Sequence, residues 1–401
     1  MKKSSWVIAV ATSLIAGLSY LSGKGSALSG RIQNRLSSTV GASTCQLVNS
    51  GFGPAGTTSI HTEAVVTGLN TPWDIAFLPG GTDWLVTERH GALRLVRNHQ
   101  LLSQPVMTLN TVDVGEGGLL GIALDPDFSS NRLFYVYYTA LMTSGNVNRV
   151  QKFRLSSDHQ SAVSDQIILD NIPSYIIHDG GRIKFGPDGS LYISTGEGDD
   201  SSVSRNGKSV NGKILRVSRD GKIPADNPEP GQPWFVKGLR NPEAFDWLDS
   251  NTLVIADNGP TGEYQGRVGG DELDIANKGD DLGWPSTWHC ETQSGLVTPI
   301  LSWVDAMPPG GLLVYRGNDI PTWKGDVLIA SLGGEQLHRV KLNNDGSVKY
   351  HEAYLKAEPP TGLGRLRSVI QGPNGELYVT TSNCDGRGTC PNIQDGIYRI
   401  T

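Results

Sequence analysis

The sequence is short of the features that mark several protein classes. It holds four cysteines, four methionines and eight phenylalanines in 401 residues, and only 18% of its residues are charged. It has no basic cluster and a formal net charge of −6, which argues against a nucleic-acid surface. Beyond the N-terminus no stretch is long and apolar enough to span a bilayer. The cysteine spacing matches no zinc pattern. Glycine, at 50 residues, and proline, at 22, are plentiful, and they point to many short strands and turns rather than long helices.

At the N-terminus, Lys2 and Lys3 precede an apolar run from Trp6 to Leu21, so residues 1–27 read as an export signal. Ser26-Ala27 is a weak cleavage site, which leaves an uncleaved N-terminal anchor open. No cysteine follows the run, which argues against a lipoprotein anchor. Residues 28–56, rich in Ser, Gly and Thr, read as a flexible linker. Export to a periplasmic or extracellular compartment favours disulfides. Cys384 and Cys390 bracket the polar loop DGRGT and are expected to pair. Cys45 with Cys290 would then tie the N-terminal arm to the body. Four free thiols are the alternative.

From residue 57 to 401 a pattern recurs: an apolar strand, a Gly/Pro/Asp turn, a second apolar strand, and a third that is often charged. PWDIAFLPGGTDWLVTERHGALRLVRN is the first such unit and GRLRSVIQGPNGELYVTTSNCDGRG begins the sixth. A period of about 45–65 residues lies in the range of β-propeller blades with loop insertions. One blade cannot bury both of its faces, so the units must pack radially. The expected fold is therefore all-β, a six-bladed β-propeller. Thr58–Thr67 fits an extra strand that pairs with the last blade and closes the ring.

In such a ring the start of each inner strand faces the central axis, where ligands sit. Unit two offers Glu116 there, unit three His178 and Asp179, unit four Arg240 and Asn241, and unit six Arg365 and Arg367. Arginine forks suit planar ligands with several carboxylates. The plainer reading is that each arginine pairs with an acid between blades. In unit three the sequence HDGGRIKFGPDGSLYISTGE reads as a hairpin with His178 before its inner strand and Glu197 after the next. Antiparallel pairing brings those ends together, within reach of a hydrogen bond, as for a histidine base oriented by a carboxylate. A satisfied structural histidine is the alternative. Residues 256–285 carry Asn258-Gly259-Pro260 and then Asp271, Glu272 and Asp274. Carbonyls with carboxylates are hard ligands that suit Ca²⁺, although an acidic surface loop would look the same.

Five motifs occur in order: GEGGLLGIALDPDF, HDGGRIKFGPDGSLYISTGE, GLRNPEAF, NGP…GGDELD…GWP and RLRSVIQGPNGELYV. Together they resemble the soluble glucose/sorbosone dehydrogenase family, its aldose sugar dehydrogenase branch in particular, over roughly residues 60–400. The resemblance implies a propeller that binds pyrroloquinoline quinone (PQQ) and Ca²⁺ and oxidises a small-molecule sugar, with an electron acceptor of unspecified identity. It implies His178 as the base and Glu197, usually Asp, as its acidic partner. Glu116, where Gln is common, Arg240, Asn241, Arg365 and Arg367 are implied as cofactor contacts. The carbonyls of Gly259 and Pro260 are implied to hold the cofactor calcium, and Glu272 with the Leu282 carbonyl a second, structural one. The soluble glucose dehydrogenases place a lysine near the cofactor in unit five; here the chain has Ser331-Leu332-Gly333-Gly334, which favours the aldose branch.

The function expected from these residues is oxidation of an aldose at its anomeric carbon to a lactone. Two rivals stand beside it. A calcium-dependent propeller lactonase needs no arginine clamp. A non-catalytic exported binding propeller would tolerate substitution of His178.

Overall fold

The computed structural model describes residues 45–143, 145–359, 361–391 and 394–401. The expected signal and the first part of the linker lie outside the described residues. The chain from Cys45 onward builds six sheets in sequence order, antiparallel except for one added strand, Gln46–Val48. Their inner strands are Pro72–Phe77, Leu119–Leu124, Ile183–Phe185, Pro242–Trp247, Pro309–Val314 and Leu366–Gln371. Each inner strand turns back on the next strand through the expected Gly/Pro/Asp chemistry. In blade three Gly189 donates to the Gly186 carbonyl at 2.9 Å and Asp188 Oδ1 accepts from Ser190 N at 3.0 Å. In blade six Gly375, at φ 92°, closes the equivalent turn on the Gly372 carbonyl. Both glycines hold the positive φ that such a turn demands.

Thr62–Leu69 pairs antiparallel with Asp395–Ile400, so the start of the propeller supplies the outer strand of blade six. The ring closes as the sequence predicted. Apolar residues pack between neighbouring blades: Leu85, Leu93, Phe134 and Val136 between blades one and two, and Val254, Trp303, Val327 and Ile329 between blades four and five.

Residues 45–56 depart from the linker expected there. Gln46–Val48 forms a parallel strand beside Leu301–Trp303, the outer strand of blade four. Cys45 is bonded to Cys290, and Cys384 to Cys390, as expected. Gly56 donates to the Ala353 carbonyl of blade five at 2.8 Å. The physical reason is the outer edge of blade four, whose unpaired backbone groups take up a strand regardless of its polar side chains.

Arg182, buried on the inner strand side of blade three, ties the ring across its axis. Its guanidinium pairs with Asp74 at 2.8 Å, and donates to the Gly310 carbonyl at 2.9 Å and to Ser368 Oγ at 3.0 Å. Its Nε donates to the Glu243 carbonyl, and the group lies 4.2 Å over the Trp73 ring. One side chain thus bonds to blades one, four, five and six.

Candidate active site

The inner strands all start on one side of the ring, and the predicted residues collect there. His178 lies in the loop before Ile183–Phe185 and Glu197 just after Leu191–Thr195, both buried. His178 Nδ1 stands 3.4 Å from Glu197 Oε1. The separation is that of an ion pair, but the two groups are not aligned as a hydrogen bond, and Nδ1 is buried without a hydrogen-bond partner. The expected histidine–carboxylate pair is therefore brought together without the expected bond. Glu197 is held elsewhere: Oε2 accepts from Trp284 Nε1 at 2.5 Å and from Ser204 Oγ at 3.3 Å.

His178 has a left-handed backbone, φ 62°. Its N–H donates to Glu116 Oε2 at 2.7 Å. Asn241 bridges the same two elements, donating to Glu116 Oε2 at 3.2 Å and accepting from Gly180 N at 3.0 Å. Asp179, the other candidate in this loop, turns to blade two, where Oδ1 accepts from Asn148 Nδ2 at 2.6 Å. Burial pushes its carboxyl up to about 6.

Each arginine of the expected clamp already has an acidic partner. Arg240 pairs with Glu263, Arg365 with Asp385 at 2.9 Å, and Arg367 with Glu243. Arg365 also donates to the Leu332 carbonyl at 3.3 Å, in the Ser331-Leu332-Gly333-Gly334 segment. The plainer reading, pairs between blades, holds for Arg367 with Glu243; Arg240 and Arg365 pair with acids of their own blades. Yet Arg240 Nε and Arg367 Nε are buried donors without acceptors, a set that suits an anionic, carboxylate-bearing ligand.

The carbonyls expected around calcium also have partners. Gly259 O and Asn258 O both accept from Arg240 Nη1, at 2.9 and 2.8 Å, and Pro260 O accepts from Gly269 N at 2.9 Å. Gly259 and Asn258 thus converge on one cationic group, and Asn258 Oδ1 is buried and unpaired beside them. Such oxygens fit a hard cation. Further along, Glu272 and Asp274 alternate on one strand, with Asp257 directly opposite Glu272 on the neighbouring strand. Burial, then the neighbouring carboxylates, raises Glu272 and Asp274 well above the usual carboxylate range, and burial lifts Asp257 to about 7. Both oxygens of Asp274 are buried without a partner, which again fits a cation. Leu282 packs with Leu253, Ile255 and Ala276, its N–H bonded to the Lys237 carbonyl. Among the described residues no group of three or more His, Cys, Asp or Glu side chains is arranged to hold a metal ion.

A cavity of about 770 Å³ lies at the other ends of the inner strands, lined by Phe77, Leu124, Phe185, Trp247 and Gln371 among others. It sits across Arg182 from His178, and none of the predicted site residues lines it. The sequence reading missed Trp284, Glu243, Glu263, Asp385 and Arg387, whose contacts reach the site from other blades. The DGRG segment between two cysteines was the available signal for the last two.

A propeller with a buried histidine and carboxylate amid paired arginines defines a class of candidate axial-site enzymes. Comparison narrows it. The family model for glucose/sorbosone dehydrogenases matches residues 69–394. The aldose sugar dehydrogenase YliI of Escherichia coli is 30% identical over 355 residues, which cover 82% of this chain and 91% of that protein. Quinoprotein glucose dehydrogenase B of Acinetobacter calcoaceticus is 25% identical over 444 residues, 87% of this chain and 89% of that one. The PQQ-bound aldose sugar dehydrogenase of Streptomyces coelicolor superposes with a TM-score of 0.74 at 32% identity, over 87% of this chain and 100% of that one. The chain belongs to the glucose/sorbosone dehydrogenase family.

Proposed function

We propose that the protein oxidises aldose sugars at the anomeric carbon to lactones, in a PQQ- and Ca²⁺-dependent reaction, after export to the periplasm or beyond. The observation that carries this reading is the buried His178–Glu197 pair at the axial start of blade three, beside unsatisfied donors on Arg240 and Arg367. Arg240, Asn241, Arg365, Arg367 and Glu116 would contact the cofactor. The Gly259 and Pro260 carbonyls would hold its Ca²⁺, and Glu272 with Leu282 a second one.

When bound, the quinone with its Ca²⁺ supplies a hydride acceptor, so that loss of the anomeric hydrogen with its electron pair yields the lactone. The chain supplies the base. With Nδ1 turned to Glu197, Nε2 of His178 is the nitrogen that takes the hydroxyl proton. Glu197, fixed by Trp284 and Ser204, balances the imidazolium that results. The loops around His178 keep the base buried.

The acidic partner that each arginine already holds favours a second reading, a non-catalytic binding propeller. Steady-state turnover of aldoses by protein reconstituted with PQQ and Ca²⁺, using a dye as electron acceptor, separates the two. Dehydrogenation predicts turnover that His178→Ala abolishes. Equal and negligible rates for the two proteins would refute it.

A further inference from the structure

Arg387 sits on the loop that the Cys384–Cys390 disulfide closes. Its Nη1 reaches Glu116 Oε1 at 3.0 Å, across 271 residues of sequence. The other oxygen of that carboxylate accepts the His178 N–H and the Asn241 amide. A left-handed conformation at a non-glycine residue persists only where the surroundings impose it. Two bonds hold the backbone of His178 itself: Glu116 accepts its N–H, and Gly198 N donates to its carbonyl at 3.2 Å. Asn241 at the Gly180 N–H, Glu116 N at the Ile176 carbonyl and Tyr137 Oη at the Asp179 carbonyl brace the loop on either side. Of the two on His178, the first has an ionised acceptor, and such bonds are roughly twice as strong as neutral ones.

We propose that Arg387 is a positioning residue for His178: it keeps Glu116 charged and in place, and Glu116 fixes the backbone that aims the imidazole. Glu116 is thereby a support of the base rather than only a cofactor contact. The groups that face Glu116 are Arg387 from the disulfide loop, His178 and Asp179 from the blade-three loop, and Glu243 from blade four. Burial raises the Glu116 carboxyl, but Arg387 first and His178 second hold it below its ordinary value. Asp385, two residues before Arg387, is engaged with Arg365. The loop therefore meets the site through two ion pairs of opposite polarity.

The catalytic meaning of this arrangement rests on the proposed role of His178, whereas the linkage itself does not, and the test separates them. The full-length protein is labelled with ¹⁵N-histidine, and the His178 amide signal is assigned by its loss in His178→Gln. That amide proton is bonded to the Glu116 carboxylate, so its shift follows Glu116 ionisation whether or not the protein turns over. Arg387 is half-exposed, so Arg387→Met leaves the core intact. The expected result is a titration of the His178 amide in Arg387→Met that lies above the wild-type midpoint by about one pH unit or more, the effect of one close opposite charge. Arg387→Lys restores the wild-type midpoint, and Glu116→Gln abolishes the titration. In reconstituted enzyme, the acid limb of kcat/KM moves up with the same variant. An unshifted amide titration in Arg387→Met overturns the proposal. A shifted titration in a protein with no quinone-dependent activity upholds the linkage and sinks the dehydrogenase reading instead.

Discussion

Trp284 donates its indole N–H to Glu197 at 2.5 Å, through the carboxylate oxygen that does not face His178. The extra methylene of Glu197, relative to the aspartate usual in the family, thus ends on a tryptophan as well as beside the base. Trp284 is itself wedged between Tyr264, 4.8 Å away, and the Arg240 guanidinium, 5.7 Å away.

Trp284→Phe keeps the ring but leaves Glu197 Oε2 with Ser204 alone. A hydrogen bond to a charged group contributes about 1.5–3 kcal/mol. The expected loss of stability is of that order, read from the urea midpoint. The freed carboxylate also orients His178 less well, so kcat falls more than KM rises in reconstituted enzyme.

Arg182 is the other fixed point. Arg182→Met leaves Asp74 buried and unpaired and breaks the bonds to Gly310 and Ser368. Breaking a buried pair in this way costs about 3–5 kcal/mol. Arg182→Lys keeps the charge and recovers part of the loss. Urea denaturation of the three proteins gives the order wild type, Lys, Met.

The acids of blade four predict a calcium-linked pH dependence. In the native state Glu272 and Asp274 have raised values, so they hold protons that the unfolded chain releases above about pH 4. Their contribution to stability is therefore present at acid pH and is lost as pH rises toward and through their native values. In EDTA, the melting temperature of wild type should fall relative to that of Asp274→Asn as pH rises above about 4. Added Ca²⁺ should restore wild type and do less for the variant. A pH-independent difference in EDTA would contradict the raised carboxyls, and an equal response of the two proteins to Ca²⁺ would contradict the cation site.

His338 and His351 give the opposite slope. Their rings stack at 5.1 Å, with Nδ1 of one 2.9 Å from Nε2 of the other. Burial lowers His351 to about 4 and His338 well below its ordinary value. Both are neutral in the native state, so their stabilisation is full above the unfolded value near 6.5 and is lost as pH falls from there toward 4. For His351 alone the loss is roughly 3 kcal/mol. His351→Gln should flatten this slope in urea midpoints. Because the blade-four acids act the other way, each effect is read as a difference between wild type and variant.

The six blades were legible because each pairs an apolar inner strand with a second strand across a Gly/Pro/Asp turn. Of the outer strands, that of blade six was legible and the others were not. Ala162–Pro173, the outer strand of blade two, is mostly exposed, and its one apolar run, Ile167 to Leu169, is three residues long and lies among Asp, Gln and Asn. At the site, position in the repeat brought out His178, Arg240 and Arg365, and resemblance supplied their roles. What pairs with what was hidden, because the partners lie far apart in sequence: Glu243 and Arg367 are separated by 124 residues, Glu197 and Trp284 by 87. No local pattern encodes such contacts. The misalignment of His178 and Glu197 was hidden too, since nothing local to either residue encodes it.

The central claim is that His178 takes a proton from a sugar while a bound quinone is reduced. Its most direct measurement is a single-turnover absorbance trace: anaerobic protein loaded with PQQ and Ca²⁺, mixed with an aldose and no other acceptor. The account predicts a rapid change in the quinone absorbance, stoichiometric with bound cofactor, that His178→Ala slows by orders of magnitude although it still binds the quinone. An unchanged quinone spectrum in loaded wild-type protein, or an equal rate in His178→Ala, would contradict it.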